Sequence, residues 1–547
     1  MGSSWYVTFA WIALLVFVLK LKDVGRRPKG YPPGPPTLPI LGNLHQMPSK
    51  NGHVQFKKWA EEYGPVYSLI IGTQVMIVLS SDTAIKDLLD KRSGIYSSRP
   101  DMYISSTLAS GGMRMLLMEY GETWRRIRKL FHSLLRVGAS KSYVPYQDLE
   151  STSMMVAILD EPNLVFDHIR RYTNSLSTQI IYGFRTARIN DPRLLQLYKS
   201  IEDWALVTGA AAAALLDAYP ILRSLPTFIR PLYHHALSLG EFTLSLNMGL
   251  WQEAKKKVEQ GTAKPCFCVG LAQAQDVEGW TDKLCAMIGG TALEASSDTT
   301  ASTLVGLIQA LVLYPEAQKK AQEAIDKVCG DRFPTTEDME NPDAQYIRAC
   351  VKENLRWMPT AILGVPHSVI RDDEYMGYHI PKGASVVYNV WTVHMDEKRH
   401  PNPRVFDPSR YINDFKNSTE STQSPDVSKR DHFSFGVGRR VCEGMHVVDR
   451  SMFLVIARLM WAFDIRPATD TDGKEVLPDQ DDLVGGFLVQ PRPFPVVIKP
   501  RSEARAAKVR EAWAECRALL DEEQQWKEIP KGMPFTTYEV DGKSDLV

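Results

Sequence analysis

Neither sign of charge dominates this chain. Over 547 residues, 64 lysines and arginines meet 64 aspartates and glutamates. That balance leaves no basic surplus for nucleic acid, and no basic tract is interleaved with aromatics. Cysteine is scarce and scattered, seven in all. This excludes a disulfide framework and fits a reducing compartment. Only Cys266 and Cys268 lie close together, with no second ligand cluster after them, so they read as loop thiols. No glycine-rich dinucleotide fingerprint follows a strand signal, and no internal repeat or low-complexity tract appears. Any electrons the chain uses must come from a separate protein.

What is present begins with an uncharged run, WYVTFAWIALLVFVL, from Trp5 to Leu19, followed by Lys20, Lys22, Arg26, Arg27 and Lys29. A spanning helix needs about 20 apolar residues. The lysines can bury their stems and keep their ammonium groups in water. Nothing basic precedes the run and no small-residue cleavage site follows, which argues against a signal peptide. Residues 1–21 are therefore expected to be a single membrane anchor, with the positive flank holding the rest on the cytoplasmic side. Residues 22–44 form a basic and proline-rich linker. Pro32, Pro33, Pro35, Pro36 and Pro39 cannot continue a helix and make a stiff spacer.

Hydrophobic residues make up 44% of the chain, enough for a large core. FKKWAEEYG reads as a helix ending at Gly64, and VYSLIIGTQVMIVLS as two strands around Gly72-Thr73. From about Glu119 the patterns are mostly helical, with Pro315 opening one helix and Gly330 closing it. Strand signals return in GYHIPKGASVVYNV and FPVVIKP. The expected fold is mainly α with small β-sheets over residues 45–501. A charged surface helix follows, in a C-terminal tail at 502–547.

One stretch concentrates chemistry: HFSFGVGRRVCEGMHVV from His432. Cys442 stands among Gly436, Gly438 and Gly444, before an apolar helical pattern. A thiolate binds metal where a thiol hardly does. A helix N-terminus favours the ionised sulfur, and the glycines let the backbone turn tightly. Arg440 offers a fork of donors to a carboxylate. A flat ligand with an axial metal and carboxylates is a haem. On the cysteine alone, a buried loop thiol remains the better reading.

The stretch FSFGVGRRVCEG closely resembles the haem-binding signature of the cytochrome P-450 superfamily, with every fixed position met by Phe435, Gly436, Gly438, Arg440, Cys442 and Gly444. KENLRW adds an E-x-x-R pair, Glu353 and Arg356, on one helix face. FDPSRY adds Arg410, with Ser409 where the family usually has an acid. GETWRRIRK matches the W-x-x-x-R helix through Trp124 and Arg128. MIGGTALEASSDTTAST matches the oxygen-handling helix through Ala295, Ser297, Asp298, Thr299 and Thr300, with Ser296 for the usual glycine. A serine there can bond back to a carbonyl and loosen the helix.

The resemblance implies a cytochrome P-450 fold and a haem b whose iron is bound by Cys442. Trp124, Arg128, His367 and Arg440 would hold its propionates, and Asp298 and Thr299 would relay protons. It implies that Glu353, Arg356 and Arg410 hold the fold. It implies a monooxygenase that uses O2 and NADPH-derived electrons to oxidise a hydrophobic small molecule, similar to fungal members of secondary metabolism. The pocket would draw on residues 98–118, 210–231 and 293–299, TAILGV after Met358, and GGFLV at Gly485. The 210–231 stretch reads equally as a buried helix pair or as a membrane-dipping route for lipid-soluble substrates. Arg125, Arg126 and Lys129 would help dock an NADPH-dependent diflavin reductase, with cytochrome b5 as a further electron donor. The expected location is the endoplasmic reticulum membrane, with the catalytic domain cytoplasmic. Oxidative coupling or ring closure without oxygen insertion is the alternative on the same site. A haem-thiolate isomerase or dehydratase and a haem-binding sensor are rivals of other classes, and neither needs the Asp298-Thr299 pair.

Overall fold

Short alternating runs and long helical ones sort the chain into a small sheet region and a larger helical body. The computed structural model describes residue 11, residues 23–486 and 488–535, and residue 538. Helix α1 (Gly52–Tyr63) stops at Gly64. Strands β1 (Val66–Ile71) and β2 (Gln74–Leu79) pair antiparallel, from Val66 opposite Leu79 to Ile71 opposite Gln74. Gly72 turns between them at φ +62°.

The helical body follows. It comprises α2 (Glu122–Leu135), α3 (Val144–Asp160), α4 (Val165–Tyr182), α5 (Pro192–Gly209), α6 (Ala211–Ala218), α7 (Tyr233–Glu259) and α8 (Phe267–Glu278). Then come α9 (Asp282–Leu313), α10 (Pro315–Cys329) and α11 (Gln345–Trp357). The proline and glycine punctuation of α10 falls at Pro315 and Gly330, as the sequence indicates. Strand β3 (His367–Ser368), the hairpin β4 (Asp373–Tyr375) and β5 (Tyr378–Ile380), and β6 (Ser385–Tyr388) lie next. The first sheet runs β1-β2-β6-β3, with β2 and β6 parallel. After α12 (Met445–Ala462), strand β7 (Phe463–Thr469) pairs with β8 (Val496–Pro500), and α13 (Glu503–Ala518) closes the order.

Helix α9 has 32 residues, about 48 Å at 1.5 Å per residue, and runs through the core packed on α4 and α7. It has no polar face because neighbours surround it: Cys285 to Glu294 and Thr300 to Val312 are buried.

The run Trp5–Leu19, expected to be the anchor, lies outside the described residues except for Trp11. Among the described residues no helix is long and apolar enough to cross a membrane. The proline-rich segment, expected as a stiff spacer, lies against the first sheet. Prolines lack N–H groups but keep their carbonyls. Pro32 accepts from Ser68 Oγ at 2.6 Å, Pro33 from Ser68 N at 2.7 Å, and Pro35 from Arg27 Nη2 at 3.0 Å and Asn43 Nδ2 at 3.1 Å. The segment after Arg501 is also docked. Val509, Leu520, Trp526 and Met533 join the main core, which hydrophobic matching alone does not reveal in so charged a stretch.

Candidate cofactor site

The cysteine loop owes its shape to two glycines. Gly436 sits at φ +76° and Gly438 at φ +58°, where a side chain costs about 1–2 kcal/mol. A Cβ on Gly438 would also lie 2.1 Å from the Leu89 carbonyl oxygen. The loop bends so that Cys442 N–H donates to the Phe435 carbonyl at 2.8 Å, just before α12. Cys442 is partly exposed. Burial pushes its thiol pKa up, while the Gly444 N–H and the Arg128 charge pull the other way without winning. Helix-start electrostatics alone therefore do not ionise this sulfur. Full deprotonation needs a bound metal cation.

Behind the loop, α11 fixes it. Arg356 grips Glu353 with two bonds of 2.7 Å and donates to the carbonyls of His394 and Pro403 at 3.1 and 2.9 Å. Arg410 Nε joins at 3.3 Å from Glu353 Oε1, which also accepts from Asp407 N at 2.8 Å. The Asp407 carboxylate caps the turn by accepting from Ser409 N at 3.0 Å, and Arg410 also donates to the carbonyls of Pro401 and Asn402 at 2.6 and 2.9 Å. His394 passes the support on: Nδ1 donates to the Arg356 carbonyl at 2.9 Å and Nε2 accepts from Phe433 N at 2.8 Å. Arg430, unremarked in the sequence, donates to the Gly436 carbonyl at 2.6 Å.

On the other side gathers a set of cations. Arg440 stacks 4.1 Å from the Trp124 ring centroid and donates to the carbonyls of Ser97 and Met118 at 2.9 and 2.7 Å. Arg128 reaches the Val441 carbonyl and pairs with Glu443 at 2.7 Å. Arg99 is buried, bonded to the Leu116, Val365 and Pro366 carbonyls at 2.7–2.9 Å. The sequence patterns gave no sign of Arg99, because no spacing links it to the other motifs. Burial first, then the charges of Arg99 and Arg128, lower the Arg440 pKa. Burial, Arg99 and Arg440 hold His367 well below the usual imidazole range. Its Nδ1 donates to the Tyr96 carbonyl at 2.6 Å, so in the neutral ring Nε2 is an acceptor. His367 can then donate to a carboxylate only as imidazolium, which an entering anion would favour.

These residues fit a haem. Arg99, Arg128, Arg440 and His367 converge with one carboxylate, Glu443, among them. Such a cluster repels itself until anions arrive, and a ligand with two carboxylates would relieve it. Trp124, Arg128, His367 and Arg440 lie together in this cluster.

Across the core, α9 breaks its own burial at one point. Ala295 is exposed and Ser296 and Thr299 partly so, on one stripe of an otherwise enclosed helix. A gap in the packing opens there. Ser296 Oγ donates to the Ala292 carbonyl at 2.8 Å and Thr299 Oγ1 to that of Ala295 at 2.6 Å. Each hydroxyl proton is used within the helix, leaving oxygen lone pairs to accept from the gap. The helix stays continuous through this stretch. Asp298 sits a step round the helix, toward Arg170 and Glu202. Burial first, opposed by Arg170 and assisted by Glu202 and Glu294, raises its pKa to about 6. Arg170 also lines a surface cleft of about 630 Å³ with Asn163, Phe166 and Phe494.

A buried ion pair stands beside the stripe. Glu294 is held by Arg114, and the Arg114 guanidinium lies 4.8 Å from the Trp204 ring centroid. Both residues fall in segments expected to line an apolar pocket, so that wall carries fixed charge. Cys266 and Cys268 are buried in the main core, and burial raises both thiol pKa values. Phe487 of GGFLV lies outside the described residues.

A cysteine presented by a glycine-turned loop, a cationic cradle beside it and a hydroxyl-lined gap in the central helix define a haem-thiolate protein. The comparisons agree. Residues 32–498 match the family model described as Cytochrome P450. The chain is 65% identical over 537 residues to the cytochrome P450 monooxygenase fsoB of Humicola fuscoatra, covering 98% of this chain and 99% of that one. It is 50% identical over 540 residues to the cytochrome P450 monooxygenase virE of Hypocrea virens, covering 98% of each. It is 48% identical over 530 residues to the cytochrome P450 monooxygenase fogE of Aspergillus ruber, covering 96% of this chain and 98% of that one. The chain belongs to the cytochrome P450 family.

Proposed function

We propose that this chain is a haem-dependent monooxygenase of fungal secondary metabolism. It places one atom of O2 in a hydrophobic small molecule and releases the other as water, using two electrons from NADPH and two protons. The observation that carries this is the pairing of Cys442 with the hydroxyl-lined gap of α9. Thiolate-ligated haem, once bound, supplies O–O cleavage. The chain supplies the rest. Trp124, Arg128, Arg440, His367 and Arg99 hold the haem carboxylates. Asp298, with its pKa raised to about 6, takes protons from the side of Arg170 and Glu202. Thr299 Oγ1 accepts them at the gap.

The electron donor is an NADPH-dependent diflavin reductase, with cytochrome b5 as a second donor. Arg125 and Arg126 are exposed on α2, while Trp124 and Arg128 on the same helix face Arg440 and the cysteine loop. A donor docked there sits one helix thickness from Cys442.

The enzyme works on the endoplasmic reticulum membrane, held by residues 1–21, with its catalytic body in the cytoplasm. An apolar surface supports this. Leu206, Ile221 and Phe228 are 73%, 75% and 81% exposed. Exposed Leu38, Ile40 and Leu41 lie near the Tyr219–Ile221 turn, since Tyr219 Oη donates to the Ile40 carbonyl at 2.8 Å. Exposed large apolar side chains such as these suit a lipid surface.

The test is the reduced, carbon monoxide-bound spectrum, then turnover with reductase under labelled oxygen. A strongly red-shifted Soret band and one labelled atom in the product are expected. A haem-loaded protein without that band would overturn thiolate ligation. An oxidised but unlabelled product would point to coupling or ring closure.

A further inference from the structure

Residues 110–118 are tied to the carboxylate cradle at one end and to α9 at the other. The Leu116 carbonyl accepts from Arg99 Nε at 2.9 Å and the Met118 carbonyl from Arg440 Nη2 at 2.7 Å. Arg114 reaches the other way and pairs with Glu294 of α9. Its Nε donates to Ser110 Oγ at 3.2 Å, and its guanidinium lies 4.8 Å from the Trp204 ring centroid on α5. The segment therefore runs from the cradle to the α9 stripe, and the pair stands where it arrives, next to Ala295.

This pair is not sealed. Its side chains keep 8% and 9% exposure inside the core, against 0% for both Arg356 and Glu353. Met115, Thr291 and Trp204 also keep a trace of exposure, so internal space touches the pair. Its hydrogen-bonding capacity is unspent as well. Among the described residues Arg114 uses three of its five N–H groups, one on Ser110 Oγ and two on Glu294. Each Glu294 oxygen accepts one of those bonds and has a further lone pair to offer.

We propose that the Arg114–Glu294 pair recognises a hydroxyl group on an otherwise apolar substrate, with Arg114 donating to its oxygen and Glu294 accepting from its O–H. This names the substrate class of the proposed monooxygenase and rests on that reading. The pair is neutral overall, so an acid or an amine gains little from it: a carboxylate would meet Glu294 and an ammonium would meet Arg114. A carbonyl would use the arginine and leave the carboxylate unmatched. A hydroxyl serves both. An analogue without it leaves buried polar groups unpaired, which is how such a site discriminates. Trp204 stacks on the guanidinium and fixes the plane of its donors.

The experiment uses the full, haem-loaded chain and the probes naphthalene, 2-naphthol and 2-naphthoate, with Kd measured by equilibrium dialysis near neutrality. The parent should bind 2-naphthol about ten- to a hundredfold tighter than naphthalene, the worth of one charged hydrogen bond, and 2-naphthoate no tighter than naphthalene. The double variant Arg114→Met with Glu294→Leu, shown to be folded by an intact carbon monoxide band, should bind 2-naphthol and naphthalene alike. Arg114→Lys keeps the charge without the fork and should lose most of the preference, so the outcome does not hang on one variant. A parent without a preference for 2-naphthol, or a preference that survives in either variant, overturns the proposal. A lead for 2-naphthoate that the double variant loses makes Arg114 an anion site and overturns the hydroxyl. Dialysis does not depend on oxygen chemistry: a parent that prefers 2-naphthol but lacks the red-shifted band fails the monooxygenase reading while the recognition stands.

Discussion

Removing one partner of the Arg114–Glu294 pair should have different consequences depending on which partner goes. Both side chains are buried, at 8% and 9% exposure. Breaking a buried pair costs about 3–5 kcal/mol, because a charge is left without compensation. Glu294→Leu strands a guanidinium that cannot shed its proton, so this cost should persist at every accessible pH. Arg114→Met strands a carboxyl, which can neutralise. Burial already raises the Glu294 pKa, and Arg114 is what opposes it. A carboxyl with a raised folded pKa binds protons more readily folded than unfolded, so its penalty grows as pH rises. Each pH unit is worth about 1.4 kcal/mol. Between pH 5.5 and 7.5 the penalty of Arg114→Met should grow by up to about 2.7 kcal/mol, while that of Glu294→Leu stays flat.

The double variant, Arg114→Met with Glu294→Leu, removes both charges and should recover most of the loss. Urea unfolding of the haem-loaded protein at the two pH values, followed by tryptophan fluorescence and Soret absorbance, measures all four species. Additive single costs in the double variant would refute the pair. So would an Arg114→Met penalty that ignores pH. The pair also bears on cofactor binding. Arg114 lies in the segment whose Met118 carbonyl accepts from Arg440, so both single variants should lose haem faster.

Asp298→Asn should lower coupled turnover about 100-fold, the usual weight of one general acid. The parent's coupled product should fall as pH rises through about 6, where Asp298 loses its proton; Asp298→Asn should flatten that profile. The same raised pKa makes ionised Asp298 destabilising above its unfolded value, so Asp298→Asn should gain up to about 3 kcal/mol at pH 7 in urea unfolding. Thr299→Ala should leave NADPH consumption running while product falls and peroxide appears. Gly438→Ala should abolish haem incorporation, since its Cβ would meet the Leu89 carbonyl oxygen at 2.1 Å, whereas Gly436→Ala, with 3.4 Å to its nearest neighbour, should lose only part of it. Arg99→Leu should speed haem loss to an excess acceptor about ten- to a hundredfold, matching one charged hydrogen bond; an unchanged rate would remove Arg99 from the carboxylate cradle.

The parts of this site legible in the sequence are those in which one local backbone shape demands particular residues. A loop with left-handed turns before a helix asks for glycines at 436 and 438, and an i, i+3 pair asks for Glu353 and Arg356 on one turn of α11. Both could be placed because the constraint and the residues lie within a few positions of each other. Even Asn389, which caps a short helix by accepting from Thr392 N at 3.1 Å, follows that local grammar.

Arg99 and Arg114 obey no such rule. Each sits in an irregular segment, and what makes it matter comes from elsewhere in the chain: the carbonyls of Val365 and Pro366 for one, the carboxylate of Glu294 for the other. A buried guanidinium is expensive wherever it lies, and its place is explained only by the anion it faces. For Arg114 that anion is present in the chain. Among the described residues the hydrogen-bond partners of Arg99 are the backbone carbonyls of Leu116, Val365 and Pro366, none of them a carboxylate, and its charge acts on Arg440 and His367. A cation held among cations by backbone alone is a site waiting for a negative ligand. That makes the least legible residue in the sequence the most direct physical sign, in the structure, of the haem carboxylates.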